Sequence, residues 1–240
     1  MKEYKNRFYR GWVKRDDLKK FSVNVKDSDL FILCDKDLKE QALNKLEHIR
    51  TELEGYIARD EIFGSILKPY LCRKDSPQVV RSMCSASALY DVGPMASVAG
   101  VFSEAIGKEL LKYSDTVVVE NGGDIFARSE KPIKFALYAG EGSPFSNVVF
   151  EINAVNGIGI CTSSATVGPS FSFGNADAVV AIADDAGVAD AAATYVANRI
   201  KSPDDIDRVL GLEKGKGLLK ALIACSGDSI GFWGEIEIVR

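Results

Sequence analysis

VVVENGGDIFARS, residues 117–129, begins as an extended run and then breaks. Val117, Val118 and Val119 are β-branched and favour a pleated backbone, on which their side chains pack well. Glu120, Asn121, Gly122, Gly123 and Asp124 follow at once, and a second apolar pair, Ile125 and Phe126, lies just beyond. Two acids, an amide and a glycine pair on the end of a strand predict a loop with fixed polar groups and backbone that can approach a ligand closely.

Working outward, residues 4–14, 20–26 and 29–34 read as strands, with alternation in FSVNV and an apolar run in DLFILC. From Asp37 the period changes. Leu38, Ala42, Leu43, Leu46, Ile49, Leu53, Tyr56 and Ile57 recur at helical steps and predict a long amphipathic helix, with His48 near its polar side. Ser76 and Pro77 suggest a capped helix over 77–89. A third helix follows Gly93 and Pro94, striped by Val98, Phe102, Ala105, Ile106 and Leu110. Its first turns, with Ala96, Ser97, Ala99 and Gly100, are slim. Slimness permits close approach by another backbone, by a second subunit in a homo-oligomer, or by an anion at the free N–H groups.

Beyond the opening stretch, strands are expected at 133–139, 147–153 and 157–161, then a helix near 187–200, then two strands joined by a Ser-Gly-Asp-Ser turn. Strands outnumber helices and several connections are short. The fold class expected is α+β, a single domain over 1–240 with largely antiparallel sheet packed against several helices.

Composition narrows the function. The net charge of -4 argues against a dedicated nucleic-acid binder, although residues 1–20 carry a local basic and aromatic excess that suits a half-buried strand. No apolar run approaches the ~20 residues of a membrane span, and no signal-peptide core follows the N-terminus, so a cytoplasmic protein without membrane partners is expected. The 5 cysteines lack CxxC spacing and read as reduced thiols; Cys161 stands out for its neighbourhood. Neither GxGxxG nor a Walker A motif is present.

That neighbourhood, residues 159–200, is the second informative stretch. Thr162, Ser163, Ser164, Thr166, Ser170 and Ser172 alternate with Gly168, Pro169 and Gly174, and Phe171 and Phe173 sit among them, as in a ligand loop. In the following helix Asp190, Thr194 and Asn198 recur every fourth residue and share one face. A short carboxylate and a hydroxyl one turn apart, backed by Ala191, Ala192 and Ala193, suit a hard cation such as Mg²⁺. Equally, Asp190 can do no more than favour its own helix N-terminus.

Together DVGPMASVAG (91–100), ENGGDIFA (120–127), CTSS (161–164) and ADAAAT (189–194) resemble, in order and spacing, the motifs DLGGIAKG, NAGGDI, TSG and ADALAT of the ApbE family, the FAD:protein FMN transferases. The resemblance covers about residues 88–200 and is greatest to the short, cytoplasmic branch of that family. It implies an ApbE-like fold and Mg²⁺-dependent transfer of the FMN part of FAD onto a Ser or Thr hydroxyl of an acceptor protein, with AMP released. It further implies a metal site of Asp190, Thr194 and the Ala96 carbonyl. The flavin nucleotide would meet Asn121, Gly122, Gly123, Asp124, Thr162, Ser163, Ser164 and Ser172, and catalysis would fall to Asp124 and Asp190. Asp91 and Glu120 are further proton-transfer candidates. The chain departs from the family pattern in that Ser97 replaces a lysine, the stretch from Thr162 to Ala189 is short and has no histidine, the N-terminal MGT-type adenine-binding segment is not recognisable, and no lipoprotein signal is expected. A flavin or nucleotide binder that has lost the transfer chemistry is the alternative expectation.

Overall fold

The structure, a computed structural model, describes residues 17–140, 142–146, 148–164 and 174–239. The strand expected at 4–14 and the loop residues Thr166, Ser170, Phe171, Ser172 and Phe173 lie outside the described residues. Among the described residues there are nine strands: β1 (Lys19–Val25), β2 (Ser28–Cys34), β3 (Val117–Asn121), β4 (Asp124–Ala136), β5 (Val149–Ser163), β6 (Ala178–Ala183), β7 (Ala221–Ser226), β8 (Ser229–Gly234) and β9 (Glu237–Val239). The helices are α1 (Lys39–Ile57), α2 (Gln78–Ala88), α3 (Val98–Leu110), α4 (Ala186–Arg199) and α5 (Asp205–Lys216). Short 3₁₀ turns at Glu61–Gly64 and Pro94–Ser97 precede α2 and α3.

One sheet runs β1-β2-β3-β4-β5-β6-β7-β8 in sequence order, with β9 added to the outer half of β5. Every pairing is antiparallel, and β1–β2, β3–β4 and β7–β8 are hairpins with two-residue links. Both faces are covered at the centre. Val179, Ala181 and Ala183 of β6 face the helices, whereas Ala178, Val180 and Ile182 face a second core built with Phe135, Phe150, Ile158, Ile160 and Ile223. That is the period of 2 expected of a strand. On the helix side α1, α2 and α3 cover β1–β3, and α4 covers β5 and β6.

Several expectations change. The strands expected at 147–153 and 157–161 are one strand, β5, and the one expected at 133–139 is the far end of β4. Register shifts between Ala127 and Ile133 bend β4 along this length. Ser76 does not cap α2: its hydroxyl is buried without a partner, and Pro77 holds the cap position. β6 and α5 had no counterpart in the sequence reading. His48 is exposed, as expected.

Candidate functional site

The opening stretch is a β-hairpin. β3 and β4 pair Val117 with Arg128 through Asn121 with Asp124, leaving only Gly122 and Gly123 to turn the chain, at φ of 70° and 108°. Positive φ at both positions is the signature of the tight mirror-image turn, which glycine adopts without strain. Glu120 accepts a hydrogen bond from the Gly123 N–H at 2.8 Å and so closes the turn from below. The hairpin tip lies beside β5, where Asp124 Oδ1 accepts from the Thr162 N–H at 3.0 Å, and beside α3, where the Asn121 amide donates to the Ala99 carbonyl at 3.3 Å.

The slim start of α3 meets the backbone of α4. A Cβ on Gly100 would lie 2.2 Å from the Ala186 carbonyl oxygen, and one on Gly159 of β5 would lie 2.2 Å from the Ala186 Cα. The first residue of α4 is thus wedged between α3 and the sheet, and glycine on both sides makes the room. At this crossing the two helices cap each other. Asp190 of α4 accepts from the Gly100 N–H at 2.9 Å, and Glu104 of α3 accepts from the Ala186 N–H at 2.6 Å. Both are N–H groups of a first helical turn, which have no partner within their own helix. Ser97 cannot cap α3, because its buried hydroxyl donates to the carbonyls of Pro94 and Met83. Asp185 caps α4 locally by accepting from Val188.

Asp190 therefore lies against the N-terminus of the neighbouring helix, not of its own. Burial holds its carboxyl well above the usual range; the Asp124 charge adds to the rise, and the Gly100 and Ala99 N–H groups oppose it. Burial likewise pushes Asp124 up from 3.8 to about 7, against the pull of the Thr162 N–H and the Cys161 thiol and with a further rise from Glu120. Cys161 is buried between the two acids and remains a thiol, since burial and both carboxylates raise it. Among the described residues no Lys or Arg pairs with either acid. Two buried carboxylates that feel each other and lack a counter-ion share a proton or take up a cation.

The donors fit a hard cation. No cluster of three His, Cys, Asp or Glu side chains forms a metal site among the described residues, so neutral oxygens must complete the shell. Thr194 and Asn198 are half-buried one and two turns along α4, and the Pro94–Ser97 turn that carries Ala96 packs against the same helix. Ser163 and Ser164 are buried at the end of β5. Ser172 lies outside the described residues. Asp91, a candidate for proton transfer, is exposed and ion-paired with Lys68 at 3.0 Å. Sequence reasoning missed Glu104. The available signal was one acid standing next to the apolar stripe of α3.

The fold, an antiparallel sheet packed with helices, matches that of the ApbE flavin transferases. The Pseudomonas stutzeri flavinyl transferase ApbE, apo form, superposes with a TM-score of 0.62 at 13% identity, over 90% of this chain and 93% of that one. A mutant of the flavin transferase ApbE from Vibrio cholerae gives 0.61 at 10% identity, over 91% and 97%. The family model described as AbpE bacteria matches residues 10–213, and the chain belongs to that family. Its relatives include the UPF0280 protein of Methanocella arvoryzae, 40% identical over 222 residues that cover 90% of this chain and 89% of the relative. The UPF0280 protein of Methanothrix thermoacetophila is 40% identical over 194 residues, covering 80% and 81%.

Proposed function

We propose that the protein is a Mg²⁺-dependent flavin transferase that moves the FMN part of FAD onto a Ser or Thr hydroxyl of an acceptor protein. The observation that carries this reading is the pair Asp124 and Asp190, buried together without a cationic side chain, Asp190 at the N-terminus of α3 and Asp124 on the Thr162 N–H of β5. Asp190, the Thr194 hydroxyl and the Ala96 carbonyl would hold Mg²⁺, which when bound would neutralise charge on the phosphates. Asn121, Gly122, Gly123 and Asp124 would meet the nucleotide together with Thr162, Ser163, Ser164 and Ser172. Asp124, with a pKa near neutrality, suits a general base. In the transfer the acceptor oxygen bonds to the FMN phosphorus as its proton passes to Asp124, and the bond from that phosphorus to the bridging oxygen breaks, so that AMP leaves.

Purified protein incubated with FAD, Mg²⁺ and candidate acceptor proteins should release AMP and leave flavin on the acceptor. Asp190→Ala should lose the Mg²⁺ dependence while keeping the circular dichroism of the native fold. Unchanged, metal-dependent turnover in that variant would refute the metal assignment. The turned-in Ser97 favours a second reading, binding without transfer, because it supplies no cation where the family pattern has lysine. FAD that binds tightly and is recovered intact in the same assay identifies that reading.

A further inference from the structure

Glu104 is a buried acid for which the proposed transfer has no direct use. It stands on α3, 7% exposed, and its two oxygens are engaged differently. Oε2 accepts from the Ala186 N–H at 2.6 Å, while Oε1 meets the exposed Lys108 Nζ at 2.5 Å. One turn earlier on the same helix, the Gly100 N–H donates to Asp190 Oδ2 at 2.9 Å. The arrangement is reciprocal. Asp190 follows Ala186 by four residues on α4, as Glu104 follows Gly100 by four on α3. Four residues of helix rise about 6 Å, so the two helices are clamped at two points one turn apart.

A single hydrogen bond between two helices is a pivot, whereas two bonds one turn apart fix both slide and rotation. The backbones are close enough for a small slide to be felt. A Cβ on Gly100 would lie 2.2 Å from the Ala186 carbonyl oxygen, and one on Gly187 would lie 2.5 Å from Val101 Cγ2. Asp190 has one methylene between backbone and carboxylate, so it follows α4 and cannot reach back if that helix moves. A hard cation makes this placement matter, because Mg²⁺ demands near-octahedral oxygens at about 2.0–2.1 Å and a useful ligand is held to within about 0.5 Å. The cap on Ala186 requires an acceptor oxygen at the reach of Glu104; the negative charge is not needed for it.

We propose that Glu104 is a positioning residue that fixes the start of α4 through the Ala186 N–H and so aims the Asp190 carboxylate. The proposal rests on the flavin-transferase reading only in assigning that carboxylate to Mg²⁺. The test is amide hydrogen exchange, together with calorimetric titration by MgCl₂ alone, on the full chain and its Glu104→Gln and Glu104→Asp variants. Gln keeps the length and the acceptor oxygen without the charge, and Asp keeps the charge but is one methylene short. Glu104→Asp should speed exchange about tenfold at Ala186, which Glu104 touches, and also at Gly100, which it does not. Val180, in the middle of β6, should exchange as in the native protein. The same variant should weaken Mg²⁺ by about tenfold, and Glu104→Gln should keep every value within about twofold of native. Faster exchange at Ala186 with Gly100 unchanged, a rise that includes Val180, or equal loosening by Gln and Asp would each overturn the positioning role. The expected exchange pattern in a protein that binds no Mg²⁺ would support that role and remove the metal reading. Native Mg²⁺ binding that neither variant alters, with Gly100 unchanged, would overturn the role and leave the metal reading standing.

Discussion

Gly100→Ala tests whether the contact between α3 and α4 sets the site. Alanine is the better helix former by about 0.8–1.0 kcal/mol, so at an open helical position the change stabilises. At position 100 the new methyl carbon would meet the Ala186 carbonyl oxygen at 2.2 Å, its carbon at 2.7 Å and the Asp190 Cβ at 2.8 Å. Two of these are backbone atoms and cannot turn aside. The helices must separate, which costs about 1–3 kcal/mol of overpacking and stretches the Asp190 to Gly100 hydrogen bond. The net effect is a loss of about 1–2 kcal/mol after the propensity gain, or several degrees of Tm in a chain of this length. Gly211 in α5 is the control, because nothing lies within 4 Å of its added Cβ. Gly211→Ala should raise Tm where Gly100→Ala lowers it, in parallel melts followed by circular dichroism. If Gly100→Ala melts at or above the native temperature, the close crossing does not hold the site as described.

The pH dependence of stability has a defined sign. The folded-state pKa of Asp124 is raised from 3.8 to about 7, so the native state holds a proton that the unfolded chain has released. The stability this group contributes is present below about pH 4 and is lost as pH rises through about 7. Burial raises Asp190 and Glu104 in the same direction. Metal-free protein should therefore melt at higher temperature near pH 5 than near pH 8, and Asp124→Asn should flatten that slope; a native slope of the opposite sign refutes the shift. Ser97→Lys, which restores the residue of the family pattern, should destabilise and not activate. The Ser97 side chain is fully buried and bonded to two carbonyls, so a lysine there buries an unpaired charge at a cost of several kcal/mol. A Ser97→Lys protein with native Tm would show that this position opens to the cleft.

Local pattern was enough to recognise α1, α3, α4 and the final hairpin, because period and turn residues carry that information along the chain. It failed for β6, whose run AVVAIA is buried on both faces and so has no alternation to detect. It failed also for α5, whose face carries Gly211 and Gly215 and exposes Leu212. The site was legible as residue types: Asp124, Thr162 and Asp190 are brought to one place, as their motifs imply. How they meet was not legible. Asp190 caps α3 across 90 residues of chain, and Glu104 caps α4 across 82. Such long-range caps leave no local spacing, since they depend on where the sheet puts the two helices.

The most direct test of the central claim is calorimetric titration of metal-free protein with FAD, with and without Mg²⁺. FAD should bind and Mg²⁺ should strengthen the binding, with protons released as the Asp124 and Asp190 pair ionises. FAD binding that is indifferent to Mg²⁺, or no binding in either condition, would contradict it.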